Sequence, residues 1–347
     1  MAKKLFDYVI GNPPYQGEAV GDQKNFGKPV YNDFMDATYE IADVVELITP
    51  ARFLFQAGST PKQWNKKMLS DEHLKVLKYH ADCKEVFPSQ DIKGGVAITL
   101  HDNTKNFGAI GAFTAFPELN SILDKVRNFN GFSSLSNIVF SRTEYRFTDL
   151  MHKDHPEAIS QQSKGHPYDV STNIFEVLPQ LFYDEKPDDG NKYIQIYGRE
   201  KNERVYKYVR RDYIIDVKNL DKYKVFVPKS NGSGAIGEVL STPVIGQPVI
   251  GHTETFISIG VFDTESESKA LYKYICTKFL RAMLGILKAT QDNPPAVWAY
   301  VPLQDFTPAS DIDWSQSIHE IDLQLYRKYG LDETEIDFIE THVKEMA

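Results

Sequence analysis

The stretch FDYVIGNPPYQGE, residues 6–18, holds the residues whose types and spacing can do chemistry. Asn12 carries a side-chain carbonyl acceptor. Pro13 and Pro14 each fix φ and push the preceding residue toward extended backbone, so the loop is stiff. The Asn12 side-chain oxygen and the Pro13 backbone carbonyl then form a pair of acceptors, with the flat face of Tyr15 beside them. A pair of acceptors and a stacking ring suit an exocyclic aromatic amine. Such an amine has two N–H donors and a lone pair delocalised into its ring. Holding both hydrogens favours a more tetrahedral nitrogen, whose lone pair can attack an electrophile. The site supplies orientation and electrostatic stabilisation, and no strong general base is required. Adenine methylation, with the base flipped out of the duplex, asks for this arrangement. The same triplet at Asn293-Pro294-Pro295 is followed by Ala296, where no ring can stack.

The elements that must hold this loop can be read around it. LFDYVIG is a short buried strand ending in a glycine turn, which places the loop at a strand's C-terminal end. YNDFMDATYEIAD is a helix with Phe34, Ala37 and Ile41 as its expected buried face. VVELITP, KVLKYHAD and GGVAITLHD supply further strands, and STPKQWNKKMLSDEHL is mostly helical. Strands alternating with helices give an α/β domain over residues 1–110. From 111 to 310 the chain turns to short aromatic strands such as KYIQIYG, VYKYVRRDYI, KYKVFVP and TFISIGVF, with one long amphipathic helix, SKALYKYICTKFLRAMLGILKA. This reads as a separate α+β domain. Residues 311–347 form C-terminal helices, one stopping at Gly330 and one opening on Asp332 and Glu335 at capping-box spacing.

Bulk composition bounds the class. Apolar residues make up 41% of the 347 and charged residues 25%, a soluble globular profile. The net charge of −9 removes any global basic field, so a nucleic-acid partner must be met by a local face. Cys83 and Cys276 stand far apart outside any CxxC pattern, which supports neither a disulfide framework nor a zinc site. The N-terminal segment lacks the apolar core of a signal peptide, and no run of about 18 apolar residues occurs. The expectation is a cytoplasmic protein with no metal and no membrane span.

FDYVIGNPPY resembles motif IV of the amino-group DNA methyltransferases, adenine-specific branch, gamma motif order. ELITPARFL (46–54) resembles the strand and turn that follow in Taq-like members and restriction-modification methylases. CKEVFPSQDIKGGVAITL (83–100) resembles their motif VIII region. The resemblance implies a partial Rossmann-like methyltransferase sheet followed by a target-recognition domain. It implies S-adenosylmethionine as methyl donor, double-stranded DNA as substrate, and a restriction-modification or defence setting. It assigns Asn12, Pro13, Pro14 and Tyr15 to catalysis, with Phe87 packing on the other side of the flipped adenine. The alternative for Phe87 is core packing after a strand. Asn12 and Pro13 would be this chain's share of the cofactor site.

The family order places the cofactor motifs before NPPY, and the eleven preceding residues cannot hold them. A displaced glycine loop, Gly232, Gly234 and Gly237, follows a strand but runs into Pro243 instead of a helix, and reads better as a turn or a DNA-backbone loop. The expectation is therefore a methyltransferase component that works with a second subunit carrying the cofactor motifs. The alternatives are a truncated remnant, or a non-catalytic DNA-binding or specificity subunit. Asp91 and Lys93 are too slight a constellation for a nuclease. DNA contacts are expected from Lys93, Arg199, Arg204, Lys207, Arg210, Arg211 and Lys229, most of them in the basic-aromatic segment 197–213. The competing reading of that segment is a solvated strand face with ordinary ion pairs.

Overall fold

The computed structural model describes residues 4–17, 27–232, 234–288 and 290–346. The chain divides into two compact units, residues 1–117 and 118–347. The boundary falls a few residues beyond the expected one, and the C-terminal helices belong to the second unit.

The first unit is a four-stranded sheet in the order β1-β2-β4-β3. Its strands are β1 (Phe6–Gly11), β2 (Ala42–Pro50), β3 (Leu74–His80) and β4 (Val96–Asp102). β1 and β2 are parallel, and β4 runs antiparallel to both β2 and β3. Helices α1 (Tyr31–Ile41) and α2 (Lys62–Ser70) contribute to one core with the sheet. Alternation along β2 sends Val45, Leu47 and Thr49 into that core. Met35, Phe53, Trp64 and Met68 meet them there.

The face of α1 differs from the sequence expectation. Phe34 is 44% exposed and Ala37 is also exposed, whereas Tyr31 and Met35 are buried. The helix docks through the i, i+4 stripe Tyr31–Met35, with Tyr39 partly buried one turn on, because Tyr31 packs edge-on against Trp64 of α2. Trp64 Nε1 and Lys67 Nζ then reach back to the Asp36 carboxylate.

The opposite sheet face is open. Phe6, Tyr8 and Ile10 are 52%, 72% and 79% exposed on edge strand β1. Tyr8 pairs in register with Val44, and Ile48 pairs with Ile98, so the half-buried Val44, Ile48, Ile98 and Leu100 continue the same face. β1, expected as a buried strand, is instead a mostly apolar edge strand whose one charged residue is the exposed Asp7.

The second unit carries two sheets built from β5 (Val139–Phe140), β6 (Tyr193–Glu200), β7 (Glu203–Arg210), β8 (Tyr223–Pro228), β9 (Val244–Gly246), β10 (Ile250–His252) and β11 (Phe256–Phe262). One has the order β10-β6-β7, the other β5-β11-β8-β9. The four aromatic segments named above fall on β6, β7, β8 and β11. The expected single long helix is two, Glu265–Cys276 and Lys278–Gly285. Thr277 between them has extended backbone, and its hydroxyl accepts from Leu280 N to start the second helix. The break lets both helices bury their apolar faces. The last helices, Ile318–Lys328 and Glu333–His342, form as expected, the latter with a complete Asp332/Glu335 capping box.

Candidate functional site

Asn12 follows the last residue of β1, at the C-terminal end of a parallel strand pair. The loop it opens is fastened by backbone bonds: Val30 N donates to Tyr15 O at 3.2 Å and Gly17 N to Lys28 O at 2.9 Å. Phe87 sits on a second loop, after the 3₁₀ turn Cys83–Glu85. That loop is tied at its root, where Phe87 N donates to Cys83 O at 2.8 Å. The buried Cys83 thiol holds the downstream chain, donating to Gln90 O at 3.3 Å and accepting from Ile92 N at 3.0 Å. Two loops from opposite ends of the sequence stretch thus converge.

They enclose one cavity of about 350 Å³ lined by Asn12, Pro13, Pro14, Tyr15, Phe87, Gln90 and Ile92. All five residues assigned to catalysis line it. The Tyr15 and Phe87 rings lie 6.4 Å apart at 73°, an edge-to-face contact. They are not two parallel plates, which would need about 7 Å between them, twice the carbon contact distance. Entry of a flat base between them requires one ring to turn. The Tyr15 hydroxyl is buried without a hydrogen-bond partner among the described residues. Burial first, and the nearby Cys83 thiol second, push its pKa up to about 12, so Tyr15 acts as a neutral ring.

A second cavity of about 550 Å³ shares the Tyr15, Gln90 and Ile92 wall. It is lined further by Tyr31, Arg52, Thr60, Asp91 and Lys93, among others. Lys93 therefore lines this adjoining cavity and not the one formed by Asn12–Tyr15 and Phe87. Arg52, Cys83 and Gln90 were missed by sequence reasoning, although the glycines at 58 and 94, which flank the Arg52 stem, are a trace of it.

The glycine loop at 232–237 has left-handed backbone at all three glycines. It is filled from within. A Cβ on Gly232 would sit 2.1 Å from the Glu238 carboxylate, and Gly234 N donates to Glu238 Oε2 at 3.0 Å. The cradle that could hold an anionic cofactor holds the chain's own carboxylate, backed by buried Lys288 at 3.7 Å. These residues do not fit a cofactor phosphate or carboxylate, and Asn12 and Pro13 remain this chain's candidate contribution to a cofactor site.

The basic segment separates into two groups. Arg210 is bound by Asp212 at 2.6 Å and Asp154 at 3.4 Å, with Tyr213 Oη also accepting from it. Arg211 pairs with Asp216 and Asp221, and buried Lys207 with Asp184 and Glu200. Arg199 and Arg204 bond backbone carbonyls, of Asn202 and Thr242, and have no carboxylate partner among the described residues. They flank the tight turn at Lys201 and Asn202, both with positive φ, that joins β6 to β7. Tyr206 stacks on Tyr197 below them at 4.7 Å. Lys229 is half-buried after β8, and Lys224 is fully buried, donating to Asn219 O and Leu220 O.

Comparison with known proteins bears on the first unit. Residues 1–87 match the model of the Eco57I restriction-modification methylase family. That segment contains Asn12–Tyr15 and ends at Phe87. The chain is also 29% identical over 100 residues to an uncharacterized adenine-specific methylase of Mycoplasma pneumoniae, covering 28% of this chain. The chain spans about a quarter, 24%, of that relative's length. Among solved structures, the type IIG restriction endonuclease BpuSI overlays with a TM-score of 0.32 at 9% identity, over 96% of this chain and 54% of that one. The Type IIL restriction-modification enzyme MmeI, solved in complex with DNA, overlays with a TM-score of 0.33 at 8% identity, over 97% and 56%. At such TM-scores these two likenesses carry no weight for fold or site. No helix among the described residues is long and apolar enough to cross a membrane.

Proposed function

We propose that this chain is a component of a site-specific DNA adenine methyltransferase of a restriction-modification or defence system. The observation that carries the reading is the convergence of Asn12, Pro13, Pro14, Tyr15 and Phe87 on one cavity at the C-terminal end of β1. The match of residues 1–87 to a restriction-modification methylase family supports it. A flipped adenine entering the cavity offers its amine to the Asn12 side-chain oxygen and the Pro13 carbonyl, which orient both hydrogens. Tyr15 and Phe87 contact the ring, and each such stacking contact is worth about 1–3 kcal/mol. S-adenosylmethionine, when bound, supplies the electrophilic methyl group. Closure of the aromatic rings on the base excludes water from the amine.

The open edge of β1 supports a further part of this reading. An apolar strand edge and the face continuing Phe6, Tyr8 and Ile10 suit an additional polypeptide, and we propose that it carries the cofactor cradle. Duplex DNA would meet the β6–β7 turn through Arg199 and Arg204, and the adjoining cavity through Lys93. Lys207, Arg210 and Arg211 serve this face as ion-paired supports. A second reading, a non-catalytic DNA-binding or specificity subunit, is favoured by the self-filled glycine loop.

One experiment separates the two. Transfer of a labelled methyl group from S-adenosylmethionine to unmodified DNA is measured for the chain alone and with its co-purifying partners. Methyl transfer that disappears in Asn12→Ala while DNA binding persists supports catalysis. Methyl transfer unchanged in Asn12→Ala defeats it. Tight cofactor binding by the isolated chain defeats the additional-polypeptide part alone.

A further inference from the structure

Arg52 stands at the first position beyond Ala51 after β2, as Asn12 does directly after β1, so both lie at the C-terminal ends of the parallel strand pair. In α/β sheets that is where ligands bind. The Arg52 stem runs between two glycines. A Cβ on Gly94 would come within 2.7 Å of Arg52 Cγ, and one on Gly58 within 3.3 Å of Arg52 Cβ. Both glycines also have left-handed backbone, with φ of +87° and +92°, which a side-chain-bearing residue rarely adopts. The chain has thus left out two side chains around one arginine. Arg52, an exposed residue, lines the 550 Å³ cavity beside Tyr15. Its charge is felt by the Tyr31 hydroxyl, whose pKa burial raises and whose Thr60 hydrogen bond and Arg52 neighbour oppose that rise.

No carboxylate neutralises Arg52 among the described residues. Asp91 lines the same cavity and makes no ion pair with it, and Lys93 adds a second cation to the lining. This contrasts with Lys207, Arg210 and Arg211, each of which is held by two carboxylates. An arginine whose stem is flanked by two glycines and whose fork has no carboxylate partner among the described residues suits a planar, bidentate anion such as phosphate. The cavity it lines shares the wall of Tyr15, Gln90 and Ile92 with the Asn12–Phe87 pocket. A base in one and its own phosphate in the other is the ligand that fills both.

We propose that Arg52, assisted by Lys93, forms a phosphate subsite that grips the backbone phosphate of the nucleotide whose base enters the Asn12–Tyr15–Phe87 pocket. The proposal rests on the adenine-pocket reading for the base and adds the phosphate, a contact that no resemblance assigns. Anchoring the phosphate fixes the extruded nucleotide by two points, so the base cannot rotate out of reach of Asn12.

The test compares 2′-deoxyadenosine, 2′-deoxyadenosine 3′,5′-bisphosphate and inorganic phosphate as ligands of the full chain, by calorimetry or ligand-observed NMR. The bisphosphate is expected to bind about tenfold tighter than the nucleoside. Arg52→Gln removes that advantage and leaves nucleoside binding unchanged. Arg52→Lys, which keeps the stem and the charge but not the fork, retains part of it and guards against misfolding of the first variant. Asn12→Ala weakens nucleoside and bisphosphate alike, leaving their ratio intact. Equal affinity for the two ligands, or a ratio that survives Arg52→Gln, overturns the phosphate subsite while leaving the base pocket standing. Loss of the ratio in Arg52→Gln with no effect of Asn12→Ala on either ligand supports the phosphate subsite and sinks the base pocket. Inorganic phosphate that binds as tightly as the bisphosphate overturns the nucleotide assignment in favour of a free-phosphate site.

Discussion

The same triplet occurs in both units of this protein and meets opposite fates. Asn12-Pro13-Pro14 follows a parallel strand, and Asn12 is exposed at the mouth of a cavity with Tyr15 beside it. Asn293-Pro294-Pro295 is a fastening. Asn293 is 1% exposed, its amide donates to Pro228 O at 3.0 Å, and its backbone N donates to Lys229 O at 2.7 Å. Pro295 then opens a 3₁₀ turn that delivers Trp298 into the core. Proline stiffness serves both: in one place it holds acceptors open, in the other it locks a loop onto the end of β8. The difference lies in what the asparagine faces.

The largest expected effect comes from Asn12. Asn12→Ala lowers methyl transfer by about 10²–10³-fold, the scale of losing one preorganised polar group at the reacting centre, with thermal stability unchanged. Asn293→Ala does the reverse. It leaves transfer intact and destabilises the second unit by about 1–3 kcal/mol, read from denaturant unfolding, because it strips a buried hydrogen bond. Adding the missing ring with Ala296→Tyr rescues nothing in an Asn12→Ala background; recovered transfer would erase the distinction.

A smaller contrast lies within the basic segment. Arg199→Ala with Arg204→Ala is expected to weaken DNA binding and flatten its salt slope by about 2, since each removes one free cation. Arg210→Ala with Arg211→Ala mainly costs stability, on the order of 1 kcal/mol, because those side chains already hold carboxylates. An equal drop in salt slope for both pairs would remove the division.

Furthest removed from that comparison is a pH dependence in the core of the second unit. His252 is fully buried, bonded to Ser258 Oγ and Thr253 O, and burial lowers its pKa to about 4. Its ordinary value is 6.5, so as pH falls from 6.5 toward 4 the unfolded chain takes up a proton that the folded one refuses. Stability is therefore lost across that window. His252→Gln should flatten the unfolding midpoint there.

The alternation of apolar residues and the punctuation by proline, glycine and cap residues made most elements legible along the chain. The strands around the pocket, the capping box at Asp332 and the NPPY loop itself are local features, set by periodicity and backbone restriction over a few residues. The buried face of α1 was not legible, because Phe34 and Tyr31 are both apolar candidates and only the position of Trp64 chooses between them. The break at Thr277 was hidden for a similar reason, since the apolar pattern runs through it.

The sequence by itself determined the chemistry available at Asn12–Tyr15, because that chemistry resides in adjacent residues and a stiff backbone. Only the tertiary structure decided which distant groups join it. It brought Phe87 and the Cys83-anchored loop to the same cavity, and it wrapped Gly58 and Gly94 around Arg52. It also sorted the cations of residues 199–211 into free and ion-paired. Each of those outcomes depends on which side chains meet across the sheet and loops, and charge or aromaticity counted along the chain carries no record of partners.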